Sequence, residues 1–148
     1  KEISGADVTA LELYDGAFGY LSKNNELHRN PVKTVKGDAL EPFGNFDCIV
    51  SNPPYITGEE MKELQTEVTF EPETALFGGT DGLDFYRSIA ENYTSALKPG
   101  GYLCLEFGMG QGDAVCSILE MNGYTILERS RDYNDRERAV LARYRKED

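Results

Sequence analysis

Apolar positions along the chain switch between strand-like runs and helix-like spacing. Ala6 to Leu13 carries Val8, Ala10, Leu11 and Leu13 and predicts a strand with Glu12 near its end. Asp15 can cap a helix through about Leu27, with Phe18, Leu21 and Leu27 as its apolar stripe, and Asn30-Pro31 breaks it. Val32 to Lys36 predicts a short strand ending in Gly37-Asp38, followed by the loop Glu41-Pro42-Phe43-Gly44. Phe46 to Ser51 reads as a buried, central strand. Gly58 to Gln65 predicts a short polar helix, and Phe70 through Gly79 is rich in turn residues. A longer helix is expected from Asp81 or Asp84 to Leu97, with Phe85, Ile89, Tyr93 and Leu97 on one face and Lys98-Pro99-Gly100-Gly101 as its stop. Tyr102 to Phe107 predicts a strand and Gly110 to Met121 a helix closed by Asn122-Gly123. Two strands, Tyr124 to Arg129 and Ala139 to Tyr144, flank the polar turn Asp132 to Arg136. This alternation indicates an α/β domain: a parallel sheet with helices on both faces, closed by a final hairpin.

One loop carries chemistry. Ser51-Asn52-Pro53-Pro54-Tyr55 follows the strand at Phe46 to Ser51. Two consecutive prolines stop regular structure, and each pushes the residue before it into extended geometry, so the loop is stiff. The Asn52 side-chain oxygen and the Pro53 carbonyl are acceptors, and Pro54 has no N–H to compete for the latter. Two convergent acceptors suit a planar NH2 group, and Tyr55 offers a flat face for it. In open α/β sheets ligands bind at the carboxyl ends of strands. Taken alone, Asn-Pro-Pro is also an ordinary surface turn; its place after an apolar strand favours function.

Bulk properties narrow the reading further. A chain of 148 residues, 40% hydrophobic, is long enough for one domain with a core. A net charge of −11 disfavours a broad sequence-independent phosphate-binding surface. Cys48, Cys104 and Cys116 lie in apolar segments without CxxC or metal spacing and read as reduced core residues of a cytoplasmic protein, with no metal site expected. No apolar run approaches membrane-spanning length.

From Ala6 onward the sequence resembles class I S-adenosylmethionine-dependent methyltransferases. More narrowly, it resembles HemK-type enzymes that methylate a glutamine side-chain amide in peptide-chain release factors. The residues that carry this are Ala10-Leu11-Glu12, Gly37-Asp38, Phe46 to Tyr55, Phe70-Glu71-Pro72, Leu105-Glu106-Phe107-Gly108 with Gln111-Gly112, and Arg131 to Arg138. The NPPY motif is shared with enzymes acting on adenine and guanine, whereas the FEP and RDYxxxER segments point to the glutamine branch. The resemblance implies a Rossmann-like sheet, mostly parallel, with an antiparallel C-terminal strand. It also implies a first strand with a glycine-rich cofactor loop, lying in mid-sheet between the strands that match Ala6–Leu13 and Phe46–Ser51, and a helical N-terminal domain. Neither is found in these 148 residues, which therefore read as a partial catalytic domain whose isolated activity is in doubt.

The resemblance further implies that Glu12 accepts both ribose hydroxyls of S-adenosylmethionine. Asp38 would accept the adenine amino group, with Ala39 and Leu40 beside the ring, although an Asp after Gly is also an ordinary turn. Asn52, Pro53, Pro54 and Tyr55 would bind and orient the substrate amide, with Asn52 also near the cofactor; Glu71 and Pro72 read either as a lid near the substrate or as a structural turn. Fixing both N–H bonds of an amide, a poor nucleophile, exploits proximity and orientation, and needs no Cys or His base. Structural roles compete elsewhere: a buried Glu106 carboxylate holding the fold together, and Arg131 to Arg138 as a charged hairpin tip that is either a brace or simply solvated. His28 is assigned no role. Two other functions compete: methylation of an exocyclic amine on a DNA or RNA base flipped onto Tyr55, and a non-catalytic binding fragment. Net charge and the FEP and RDY segments favour a protein substrate, with direct nucleic-acid binding and membrane association not expected.

Overall fold

The computed structural model describes residues 5–29, 31–63 and 72–145. The chain divides into two compact units, Lys1–Glu41 and Pro42–Asp148.

The first unit is a small β-α-β motif. Strand β1 (Thr9–Glu12) pairs in parallel with β2 (Lys33–Lys36), and helix α1 (Asp15–Leu27) connects them. Both strands are shorter than their apolar runs predict. The expected cap is not made: Tyr14 is the N-cap residue without a side-chain hydrogen bond, and Asp15 instead pairs with Lys36. Leu27 also leaves the expected apolar stripe, being 79% exposed in the last turn. None of the described residues of this unit is fully buried.

The second unit holds the core. Its sheet has the order β3-β4-β6-β5, from strands β3 (Phe46–Ser51), β4 (Leu97–Glu106), β5 (Tyr124–Arg131) and β6 (Glu137–Tyr144). β3 and β4 run parallel, and β6 is antiparallel to both of its neighbours. Helices α2 (Asp84–Asn92) and α3 (Gly112–Met121) contribute Tyr86, Ile89, Val115 and Leu119 to a cluster with Leu103, Leu105, Val140 and Ala142 from the sheet. Burying a side chain of this size stabilises by about 1.5–3 kcal/mol. Alternate residues of the same strands face the other way. Tyr102, Leu127 and Val50 are exposed, so within this unit one face of the sheet is covered, where helices on both faces were expected.

Three further expectations change. The helix ending at Leu97 stops at Asn92, passes through a 3-10 turn over Tyr93–Ser95, and Leu97 opens β4 opposite Phe46. Tyr93 and Leu97 are buried as their spacing predicts, but burial alone does not distinguish helix from strand. Lys98 to Gly101, expected as a break, is carried inside β4 as an irregularity, with Gly100 at φ +76°. Strand β3 is a sheet edge among the described residues and is not buried. Val50 is 75% exposed, and Cys48 is exposed rather than in the core, while Cys104 is half-buried and Cys116 buried. The polar helix expected over Gly58 to Gln65 is a 3-10 turn at Glu60–Glu63 within the described residues. The final hairpin, with its turn over residues 132–136, is as predicted.

Candidate active site

Two parallel strands end on the same edge of a sheet, and here that brings two loops together. β3 and β4 pair through Ser51 opposite Leu105, so the Asn52 to Tyr55 loop and the Gly108 to Gln111 turn leave side by side. β6 runs the opposite way and starts at this edge, where the Arg138 carbonyl accepts the Phe107 N–H at 2.9 Å.

The loop is anchored from below. Pro53 is buried, and Tyr55 packs against the hydrophobic cluster. The Ile56 N–H donates to the Leu76 carbonyl, and the Gly78 N–H to the Ile56 carbonyl, each at 2.9 Å. Gly78 comes so close that a Cβ there would lie 2.7 Å from both the Pro54 oxygen and the Tyr55 Cα. Beneath, the Tyr86 hydroxyl donates to the Glu106 carbonyl at 2.9 Å. Burial, followed by the neighbouring Tyr55 and Glu106, raises the Tyr86 phenol far above its ordinary range and keeps it a neutral donor.

Asn52 stands at the exposed top of this arrangement. Among the described residues no hydrogen bond engages its side chain, so its amide is available to a ligand. Beside Tyr55 lies a cleft of about 470 Å³, walled by Thr57, Glu60, Met109, Gln111 and Arg138.

In the sequence Gln111 stands only within a motif and carries no assigned role. Its side chain ties three segments together: Oε1 accepts the Gly108 N–H at 2.9 Å, and Nε2 donates to the carbonyls of Tyr55 at 3.0 Å and Gly82 at 3.4 Å. The signal available beforehand was a lone amide residue between glycines just after a strand.

The other expected site residues fall into separate groups. In the first unit Glu12 closes β1, with one oxygen accepting the Tyr14 N–H at 2.8 Å, and Asp38 accepts the Leu40 N–H at 2.8 Å next to exposed Ala39. Glu71 and Phe70 lie outside the described residues. Glu106 does not supply a buried carboxylate: it is exposed, and the bond it makes to Tyr86 uses its carbonyl. The Arg131 to Arg138 segment pairs mainly within itself, Arg131 with Asp135 and Glu137, and Arg138 with Asp132. Backbone N–H donors, that of Arg136 foremost, hold the Asp132 carboxyl below its usual range. The tie from the hairpin to α3 is made by Arg129, which bonds Asp113 at 2.7 Å.

A family model described as Eco57I restriction-modification methylase matches residues 12–106. The chain belongs to this methylase family. It is 40% identical over 146 residues to a release factor glutamine methyltransferase of Geobacter sulfurreducens, a match covering 97% of this chain and 51% of that protein. The chain thus spans about half the length of the curated relatives it matches. Among solved structures it resembles a methyltransferase from Pyrococcus furiosus, with a TM-score of 0.74 at 21% identity, covering 98% of this chain and 66% of that one. It also resembles the N-methyltransferase NodS from Bradyrhizobium japonicum in complex with S-adenosyl-l-homocysteine, with a TM-score of 0.60 at 15% identity, covering 95% of this chain and 67% of that one. The fold is that of the class I methyltransferases, α/β with a mixed sheet and an antiparallel C-terminal strand. Among the described residues no helix is long and apolar enough to cross a membrane.

Proposed function

We propose that this chain is catalytic machinery for methylating the side-chain amide nitrogen of a glutamine in a peptide-chain release factor, in the cytoplasm. The observation that carries the reading is the Asn52 to Tyr55 loop: stiffened by two prolines, anchored on the core through Pro53 and Tyr55, and presenting an exposed amide that makes no hydrogen bond among the described residues. The names of the relatives supply the substrate class.

S-adenosylmethionine would supply an electrophilic methyl group when bound. The donor chemistry suits it. Glu12 and Asp38 each commit a single oxygen to a backbone N–H among the described residues, leaving acceptor capacity for ribose hydroxyls and an adenine amino group. Asn52 and the Pro53 carbonyl accept the two N–H groups of the substrate amide, and Tyr55 gives it a face to lie on. Held by both hydrogens, the nitrogen would have its direction of attack fixed; the C–N bond would form as the methyl's bond to sulfur breaks, and the surplus proton would pass to water. In this reading the chain is the catalytic part of a longer protein, in keeping with its share of the relatives' length. The first strand, its glycine-rich loop and the helical domain then belong to the remainder.

A second reading draws on the family match, whose description names restriction-modification. The same acceptors would suit the exocyclic amine of a flipped base.

The test incubates the full-length protein and its Asn52→Ala variant with S-adenosylmethionine and purified release factor, and maps methyl groups by peptide mass spectrometry. One methylated glutamine, with the rate reduced at least about 100-fold in the variant, is the expected result. Methyl on nucleic acid and none on protein would establish the second reading instead. No product on either substrate would leave a binding role only.

A further inference from the structure

Gln111 lies outside the loop that holds the substrate amide in the proposed function, yet the loop's geometry depends on it. Pro53 and Pro54 have φ fixed by their rings, and the loop's far end is set by the peptide joining Tyr55 to Ile56. That peptide is held from both sides. Its N–H donates to the Leu76 carbonyl at 2.9 Å, and its C=O accepts Gln111 Nε2 at 3.0 Å. The orientation of the Gln111 amide is in turn determined by its partners. The Gly108 N–H requires an acceptor, which turns Oε1 toward it and Nε2 toward the two carbonyls of Tyr55 and Gly82. A carboxylate in this place lacks the donors, and an ammonium or guanidinium lacks the acceptor. Asparagine has the right groups one methylene short.

The surroundings are shaped around this amide. A Cβ at Gly82 would lie 2.5 Å from Gln111 Nε2 and 2.4 Å from the Tyr55 oxygen. One at Gly108 would lie 2.8 Å from Gln111 Oε1 and 2.9 Å from Tyr55 Cδ2. Two glycines therefore let three backbone segments close on a single side chain. At the first residue before α3, Gln111 is held in turn by its own N–H to the Gly108 carbonyl at 3.2 Å.

We propose that Gln111 is a positioning residue for methyl transfer, acting through the Tyr55 carbonyl to hold the aromatic face of Tyr55 in register with the substrate amide. This rests on the function proposed above.

The test uses the full-length protein with purified release factor and S-adenosylmethionine. Gln111→Met preserves length and removes all three hydrogen bonds, while Gln111→Glu keeps the acceptor for Gly108 and loses the donors. Both variants are expected to lose about 10- to 100-fold in kcat, with KM for S-adenosylmethionine within about twofold of wild type. Combining Gln111→Met with Tyr55→Ala separates positioning from mere support. If Gln111 acts through Tyr55, the added substitution changes single-turnover rates less than about twofold in the Tyr55→Ala background. Multiplying losses in the double variant would overturn the proposal, as would wild-type kcat in Gln111→Met. Failure of both single variants to fold would overturn it too, since structural support would then account for the contacts. Absence of methylated glutamine with the wild-type protein sinks the function itself rather than this role.

Discussion

The two units of this chain are built on different physical terms. Pro42–Asp148 closes a core in which Tyr86, Phe107, Leu103 and Leu105 are wholly buried, and its candidate loop stands on that core. Lys1–Glu41 has the same kinds of elements, two parallel strands and a helix, but none of its described residues is fully buried. A β-α-β motif this small cannot enclose its own apolar face, because too much of its volume lies at the surface. Its contacts are local: the Asn25 amide bonded both ways with Val32, and Lys36 paired with Asp15. Glu12 and Asp38 therefore sit on a lightly supported frame, and Asn52 on a heavily supported one. The amide-orienting role proposed for Asn52 needs the second kind of support.

The contrast can be broken most forcefully in the core. Leu105→Ala, beneath the loop in β4, should lower unfolding free energy by about 2–5 kcal/mol, read from the urea midpoint. A loss below about 1 kcal/mol would mean that the packed unit is less committed than it looks. A smaller, more local change tests the support of the loop. Gly78→Ala puts a methyl group against the Pro54 oxygen and the Tyr55 Cα, both backbone atoms, so the loop itself must shift. Methyl transfer by the full-length protein should fall about tenfold, and the backbone clash should lower unfolding free energy by about 1–3 kcal/mol, read from the urea midpoint. Unchanged turnover would show that the loop tolerates displacement. The smallest effect is expected in the first unit: Leu27→Ala, on a residue 79% exposed, should stay within about 0.5 kcal/mol of wild type. A larger loss in the full-length protein would show that this part of α1 is covered there.

Much of the candidate site was legible in the residues themselves. Two prolines after an apolar strand make a stiff loop whatever surrounds them, and the structure has Asn52 exposed above a buried Pro53. The polar run over residues 132–136 predicted its hairpin for the same local reason, with Asp132 accepting the N–H groups of Asn134 and Arg136. Helix α1 likewise spans its expected residues, Asp15–Leu27.

What the local pattern could not decide was which side of each element is covered, and by what. Phe46 to Ser51 looks buried because it is apolar, yet among the described residues its pairing leaves it at an edge with Val50 uncovered. The apolar spacing 85, 89, 93, 97 continues through a change from helix to strand, because the core selects for burial and not for backbone conformation. Gln111 shows the same limit at the site. Its three partners, Tyr55, Gly82 and Gly108, come from segments remote from one another in sequence, and only the parallel pairing of β3 and β4 brings two of them to one edge. Chain stiffness and turn chemistry are properties of neighbouring residues, so the sequence by itself determined the loop. Hydrogen bonds between distant segments exist only once the strands are in register, so the tertiary structure alone decided what holds that loop in place.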